Sequence, residues 1–80
     1  MQTLSIGSRG PDVRLVQSLL NTIGYNAGRV DGVFGSRTQQ AVIAFQQSNR
    51  LSPDGIVGPA TWAVIDRLLR GYDTYTVMPG

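Results

Sequence analysis

The sequence lacks the residues on which most enzyme chemistry depends. Its 80 residues include no cysteine, histidine, lysine or glutamate, and all side-chain charge is carried by seven arginines and five aspartates. Without imidazole or thiolate there is no base that titrates near neutral pH, no cysteine nucleophile and no ordinary zinc or iron–sulfur ligand set. Disulfide bonds are excluded as well. We therefore expect a non-catalytic domain with no metal or other cofactor.

Charge and hydropathy exclude two further classes of partner. The net charge of +2 comes from arginines that are spread evenly along the chain, so no basic stripe predicts nucleic-acid binding. The longest apolar run is Ala41 to Phe45, five residues, whereas a membrane-spanning helix needs about 20. The N-terminal residues show no secretory signal, so no export route is visible. We expect a mildly cationic domain that favours a polyanion such as a bacterial cell wall.

Three stretches have apolar residues at helical spacing. The first, Pro11 to Ile23, starts with proline at the first helical position, and Gly24 can end it in the left-handed conformation. The others are Ser36 to about Asn49 and Pro59 to about Leu69, with Gly71 expected to end the third. Five apolar side chains on these stripes are predicted to meet in one core: Val16, Leu20, Phe45, Trp62 and Ile65.

Several residues of the second helix are predicted to lie outside its apolar stripe. They include four glutamines: Gln39, Gln40, Gln46 and Gln47. Ile43 lies about 160° from the centre of the stripe and should be exposed. An exposed Ile43, together with Leu15 of the first helix, gives the hypothesis of a docking face for another domain.

An internal repeat connects the helices. Asp31 to Thr38 and Asp54 to Thr61 share the pattern Asp-Gly-apolar-apolar-Gly-x-x-Thr at a constant offset of 23. Asp-Gly is turn chemistry, because the Asp side chain accepts backbone N–H groups and Gly takes a positive φ. The threonine is expected to return a hydrogen bond to the helix cap. Three glycines become equivalent caps: Gly10, Gly35 and Gly58.

A series of short motifs along the chain carries a family resemblance. The motifs are Gly7-Ser8-Arg9-Gly10, Val13 with Val16-Gln17 and Leu20, Gly24-Tyr25, Val30 to Gly35, Thr38, Ala41-Val42, Phe45-Gln46 and Asp54 to Trp62. In this order they resemble the peptidoglycan-binding type 1 domain, which is found beside bacterial and phage cell-wall hydrolases. The resemblance implies an all-α fold, a compact three-helix bundle with long ordered loops. It also implies a non-catalytic module that targets a murein hydrolase (amidase or peptidase) to peptidoglycan, in the cell wall or spore envelope.

Two segments require separate interpretation. Where the family usually has Asn-Gly after the second helix, this sequence has Asn49-Arg50, so Asn49 is expected to supply the left-handed cap. Tyr75 to Gly80 resembles the opening strand of a lysin motif, another murein-binding module. We therefore interpret residues 1–71 as the binding domain and residues 72–80 as a linker and the start of a truncated lysin motif.

The candidate ligand-binding residues lie around the first copy of the repeat. Murein offers carboxylates, amides and hydroxylated sugars, which suit cations, short polar groups and an aromatic surface. The start of the second helix adds free N–H donors for a carboxylate. Nine residues are predicted to contribute: Tyr25, Asn26, Arg29, Asp31, Gly32, Phe34, Gly35, Arg37 and Thr38. Tyr25 and Arg29 are expected to be exposed, whereas Phe34 is more often core and Asp31 more often a turn residue.

Other function classes stay open at this point. A protein–protein interaction or propeptide-like regulatory domain is one, since propeptides of animal matrix metalloproteinases have a similar fold. The cysteine that blocks zinc in those propeptides is absent here. A three-helix DNA-binding domain needs a short turn before a polar recognition helix, but here the connecting segments have about ten residues. The motifs favour peptidoglycan, through its stem peptide or its glycan, and a linked hydrolase or lysin-motif domain.

Overall fold

Three α-helices follow one another along the chain, separated by two long loops. The computed structural model describes the backbone of residues 2–77 and the side chains of residues 2–70. Within these limits the helices are α1 (Pro11–Thr22), α2 (Ser36–Ser48) and α3 (Pro59–Val77). Extended pairing in the same residues is limited to isolated antiparallel bridges, Leu4 with Val57 and Arg9 with Val33. The predicted all-α class and three-helix arrangement are confirmed.

Each helix begins directly after a glycine whose carbonyl accepts the first helical hydrogen bond. The bonds run to Gly10 from Arg14 at 3.2 Å, to Gly35 from Gln39 at 3.0 Å, and to Gly58 from Trp62 at 2.9 Å. Pro11 and Pro59 occupy the first position of α1 and α3, where an N–H would have no partner within the helix. The three equivalent glycine caps are confirmed.

The first two helices end in the same backbone turn. After α1 the N–H of Tyr25 donates to the carbonyl of Leu20 at 2.8 Å, and Gly24 between them has a φ of 101°. After α2 the N–H of Leu51 donates to the carbonyl of Gln46, also at 2.8 Å. A bond of this span around a left-handed residue is the Schellman motif.

The left-handed residue after α2 is Arg50, with a φ of 59°. The prediction that Asn49 supplies it was wrong, because Asn49 has a φ of −104° and is the C-cap itself. The Schellman turn places its left-handed residue one position after the C-cap. A residue with a Cβ therefore occupies the position that glycine fills after α1.

Replacing Arg50 by glycine is expected to stabilise the domain by about 1 kcal/mol. The left-handed conformation costs a residue with a Cβ about 1–2 kcal/mol, and the greater freedom of glycine in the unfolded chain offsets part of the gain. Urea unfolding followed by circular dichroism measures the change. Arg50→Ala is the control, since it removes the same charge and keeps the strain. An equal gain in that variant would contradict the backbone explanation.

The third helix continues past Gly71, which the sequence predicted as its end. It runs to Val77. Glycine inside a helix costs about 1 kcal/mol relative to alanine but adopts helical φ and ψ freely, so it is not by itself a stop signal. Residues 75–77, interpreted above as part of a lysin-motif strand, are helical, and residues 78–80 lie outside the described residues. The lysin-motif resemblance and the domain boundary at residue 71 stay predictions.

Apolar side chains of all three helices meet in one core. The five residues predicted to meet there are each 6% exposed or less: Val16, Leu20, Phe45, Trp62 and Ile65. Leu4 joins the core from the N-terminal segment, and Phe34 and Val57 join it from the two loops. Both copies of the repeat are thereby anchored to the helices. No helix in the described part of the chain is long and apolar enough to cross a membrane.

Three side chains differ from their predicted exposure. Ile43 and Leu15 are half-buried, and Leu15 packs against the core. The hypothesis of a docking face required Ile43 and Leu15 to be exposed, and the structure does not support it. Gln46, predicted on the polar side of α2, is 1% exposed. Its burial is favourable because both polar atoms of its side chain, Nε2 and Oε1, have hydrogen-bond partners.

Candidate functional site

A buried glutamine from α1 holds the first copy of the repeat. The two N–H groups on Nε2 of Gln17 are shared among three acceptors: the carboxylate of Asp31 at 3.1 Å, the carbonyl of Val33 at 3.0 Å and the hydroxyl of Thr38 at 3.0 Å. Its Oε1 accepts the N–H of Gly32 at 3.0 Å. One side chain therefore fixes both the Asp-Gly turn and the first turn of α2.

The second copy is held by Gln46 of α2 in the same way. The two N–H groups on its Nε2 are shared among the carboxylate of Asp54 at 3.0 Å, the carbonyl of Ile56 at 2.9 Å and the hydroxyl of Thr61 at 3.1 Å. Its Oε1 accepts the N–H of Gly55 at 2.9 Å. The two glutamines are 29 residues apart, whereas the repeat has an offset of 23, so the repeat pattern does not include them.

The sequence predicted that the repeat threonines would cap their helices, and this prediction was wrong. No side chain forms a cap hydrogen bond at Gly35, and the hydroxyl of Thr38 accepts from Gln17 instead. The reason is that a threonine at the third helical position faces inward here, where the buried amide needs an acceptor. The predicted aspartate turn is confirmed, since the carboxylate of Asp31 accepts the N–H of Val33 at 3.0 Å.

The same donors lower the pKa of both repeat aspartates. The N–H of Val33 first, and the amide of Gln17 second, hold the pKa of Asp31 below its usual range. The N–H of Ile56, followed by the other glutamine amide, lowers the pKa of Asp54. Both carboxylates are therefore ionised at neutral pH.

A shallow groove opens beside each copy of the repeat. The first has a volume of about 250 Å³ and lies between the loop before the repeat and the start of α2. The second has a volume of about 230 Å³ and lies at the start of α3. Apart from the two glutamines and Ala27, each residue that lines the first groove has its counterpart 23 residues later in the second. The two grooves thus have the same architecture and differ in which residues occupy the equivalent positions.

The two grooves carry opposite charge. The first is lined by Arg29, Arg37 and Asp31, a net charge of +1. In the second, Ser52 and Ala60 stand in place of the arginines, so a single aspartate gives a net charge of −1. An anionic group is therefore attracted to the first groove and repelled by the second.

Arg37 lies against the loop at Gly28, whose φ of 81° itself favours glycine. A Cβ at position 28 would be 2.5 Å from the Cδ of Arg37. Asn21 of α1 holds the loop in place, since its Nδ2 donates to the carbonyl of Gly28 at 2.8 Å and its Oδ1 accepts the N–H of Ala27 at 2.7 Å. The stem of Arg37 is thereby positioned along the groove wall, while the residue stays exposed.

The structure brings part of the predicted ligand-binding set together. Five of the nine residues line the first groove: Arg29, Asp31, Gly35, Arg37 and Thr38. Gly32 is buried, with its N–H bonded to Gln17. Asn26 is exposed on the adjoining loop, where its Oδ1 accepts the N–H of Gly28 at 3.0 Å. Ser36 lines the groove although the sequence-based set left it out.

The aromatic residues of the predicted set lie in the core or against it. Phe34 is 1% exposed in the core, so its assignment as a contact residue was wrong. Tyr25 is half-buried instead of exposed, because its ring packs edge-on against Phe45 with centroids 5.9 Å apart. The sequence analysis assigned no role to Gln17, because at 100° per residue this glutamine lies about 40° beyond the edge of the apolar stripe of α1.

Comparisons with known proteins agree with this architecture. Residues 9–65 match the family model "Putative peptidoglycan binding domain". A spore cortex-lytic enzyme of Bacillus cereus is 37% identical over 79 residues, which cover 99% of this chain and 30% of the enzyme. The N-acetylmuramoyl-L-alanine amidase CwlM of Mycobacterium tuberculosis is 42% identical over 52 residues, covering 65% of this chain and 13% of the amidase.

A solved structure has the same fold. The crystal structure of a peptidoglycan-binding protein from Clostridioides difficile, in complex with glutamine hydroxamate, superposes with a TM-score of 0.79 and 43% sequence identity. The match covers 84% of this chain and 42% of that protein. The chain thus spans less than half the length of each of these three proteins. With the family's motifs, fold and model match all present, the chain belongs to the peptidoglycan binding domain family.

Proposed function

We propose that this domain binds peptidoglycan through the groove of the first repeat and holds a linked or associated cell-wall hydrolase on its substrate. The observation that carries the assignment is the difference in charge and lining between two otherwise equivalent grooves. The family and the fold support the ligand, and the comparison of the grooves supports the site.

The second repeat acts as an internal control for what folding requires. Its glutamine, aspartate and threonine form the same hydrogen bonds as in the first repeat, so these residues build the frame. The frame forms equally well with Ser52, Pro59 and Ala60 at the positions of Arg29, Ser36 and Arg37. Folding therefore does not explain the polar residues of the first groove, whereas binding does.

The partner and the location follow from the relatives. One is a spore cortex-lytic enzyme and another an amidase, and each is several times longer than the part that this chain matches. We extend to this chain the arrangement in which the module binds the wall and a separate catalytic domain cleaves it. The location proposed is accordingly the cell wall or the spore envelope.

Removing either groove arginine is expected to weaken cosedimentation of the domain with insoluble peptidoglycan by about tenfold or more. One charge-assisted contact is worth roughly 1.5–3 kcal/mol, which corresponds to that factor. Arg29→Ala and Arg37→Ala should leave the melting temperature unchanged, because both residues are exposed. Bound fractions measured over a range of peptidoglycan concentrations give the affinities.

Arg67→Ala is the charge-matched control, since Arg67 is exposed on α3 and lines neither groove. Simple attraction to an anionic wall would make all three variants equivalent and would fade as salt is added. Equal losses in the three variants would therefore refute the site and leave only nonspecific electrostatics.

A further inference from the structure

We infer that the first groove takes the free carboxylate of a peptidoglycan stem peptide, and not a sugar of the glycan strand. The inference rests on the proposed function and specifies which part of the polymer enters the groove. Three features of the groove support it: what its lining lacks, which donors it presents, and how one of those donors is positioned.

The groove has no surface on which a sugar ring could stack. None of its lining residues is aromatic. Neither nearby ring lines the groove, since Phe34 is buried in the core and Tyr25 is half-buried with its ring packed edge-on against Phe45. Stacking on an aromatic face is the usual way in which an exposed protein surface holds the apolar face of a sugar. A glycan strand would therefore find only hydrogen-bonding groups here.

The donors in the groove suit a carboxylate. Arg29 and Arg37 both line it, and a guanidinium presents paired N–H donors that match the two oxygens of a carboxylate. Among the side chains that the structure describes, neither arginine forms an ion pair. The carboxylate of Asp31 points its Oδ1 at the N–H of Val33 and at the amide of Gln17 instead. The charge of Arg29 contributes to the lowered pKa of Asp31, but neither guanidinium is held in an ion pair among the described side chains, so both can contact an anion.

The start of α2 adds a donor that the second groove lacks. The first helical hydrogen bond at this end is donated by Gln39, so the N–H of Ser36 has no acceptor within the helix. At the equivalent position of α3, Pro59 has no N–H at all. The first groove therefore has both the additional N–H donor and the positive net charge, and both differences favour an anion there.

The stem of Arg37 lies against Gly28, and the second repeat has neither of these two residues at the equivalent positions. Gly28 leaves room for the Arg37 stem, which a Cβ would meet at 2.5 Å. The second groove has Leu51 and Ala60 at these two positions. The first groove thus has both Gly28 and Arg37, and the second groove has neither a glycine nor an arginine at the equivalent positions.

Sacculi whose carboxylates have been converted to methylamides provide the test. Phosphate-containing wall polymers are removed beforehand, because a guanidinium also binds phosphate. On untreated sacculi Arg37→Ala should bind about tenfold more weakly than the unmodified domain. On amidated sacculi the two should bind equally, within about twofold, because the partner of Arg37 is gone. Arg67→Ala should follow the unmodified domain on both.

Competition separates peptide from glycan. Amidase digestion of the sacculi releases the stem peptides and also frees a lactyl carboxylate on each muramic acid of the glycan strands, so the carboxylates of the separated strands are converted to methylamides. The released stem peptides should displace the bound domain, and the peptide-free, amidated glycan strands should not. Displacement by the glycan strands alone would overturn the inference. The inference would also be overturned if Arg37→Ala still bound about tenfold more weakly on amidated sacculi, or if binding of the domain required the phosphate-containing polymers. Displacement by the glycan strands, or a loss that persists on amidated sacculi, would leave the groove as the binding site and change only its ligand. Equal binding of Arg37→Ala and Arg67→Ala to untreated sacculi would instead refute the proposed function itself.

Discussion

Replacing Trp62 by alanine is expected to cost about 3–5 kcal/mol and to leave much of the protein unfolded at room temperature. Truncating a buried tryptophan removes apolar contacts and leaves a cavity, which together have this cost. Trp62 is 6% exposed and belongs to the shared core of the three helices. The stability of a domain of this size is itself only several kcal/mol.

A second contribution comes from the indole nitrogen. The Nε1 of Trp62 donates to the carbonyl of Gln2 at 2.8 Å, a bond that joins α3 to the N-terminal segment. That segment pairs with the loops of both repeats, through Leu4 with Val57 and Arg9 with Val33. Losing the indole therefore removes core volume and also loosens the strand-like segment that holds both loops.

Circular dichroism is the appropriate measurement, because Trp62 is the only tryptophan and its replacement removes the fluorescence signal. Trp62→Phe is the matched control, since it keeps an aromatic ring in the core and removes only the N–H and part of the volume. It should cost clearly less than Trp62→Ala. An unchanged melting temperature for Trp62→Ala would contradict its burial and would make Trp62 a candidate for stacking on a sugar.

The helices and the core could be predicted because their signals are local. Pro11, the glycine caps and the spacing of the apolar residues each act within one or two helical turns. Where a local signal was ambiguous, the prediction was wrong. Gly71 is compatible with a helix end and with a helix interior, and the left-handed cap could fall on Asn49 or on Arg50.

The frame of the site could not be predicted, because it depends on contacts between distant residues. Gln17 bonds to residues 14 to 21 positions away, and Gln46 to residues 8 to 15 away. A hydropathy pattern treats both as surface residues, and only the folded chain shows that a full set of partners makes their burial favourable. The exposed arginines of the groove were predicted because a charged side chain needs no partner to remain at the surface.

Replacing Gln46 by leucine is expected to destabilise the domain by at least about 3 kcal/mol, although leucine has a similar size and is apolar. The substitution removes, from a buried position, two N–H donors that three acceptors share and the acceptor of the Gly55 N–H. The N–H of Gly55 and the hydroxyl of Thr61 are themselves in buried residues and lose their partner. Each buried polar group left without a partner costs about 1–3 kcal/mol. Urea unfolding followed by circular dichroism measures the loss.

Gln47→Leu provides the matched control, because Gln47 is the next residue of the same helix and is exposed. The same chemical change there should alter the free energy of unfolding by no more than about 0.5 kcal/mol. A loss below about 1 kcal/mol for Gln46→Leu would mean that water replaces the amide and that the glutamine does not hold the loop. Since Gln46 frames the second groove, its folded variant should still bind peptidoglycan normally. Gln17→Leu disrupts the first groove, and it should lose binding as well as stability.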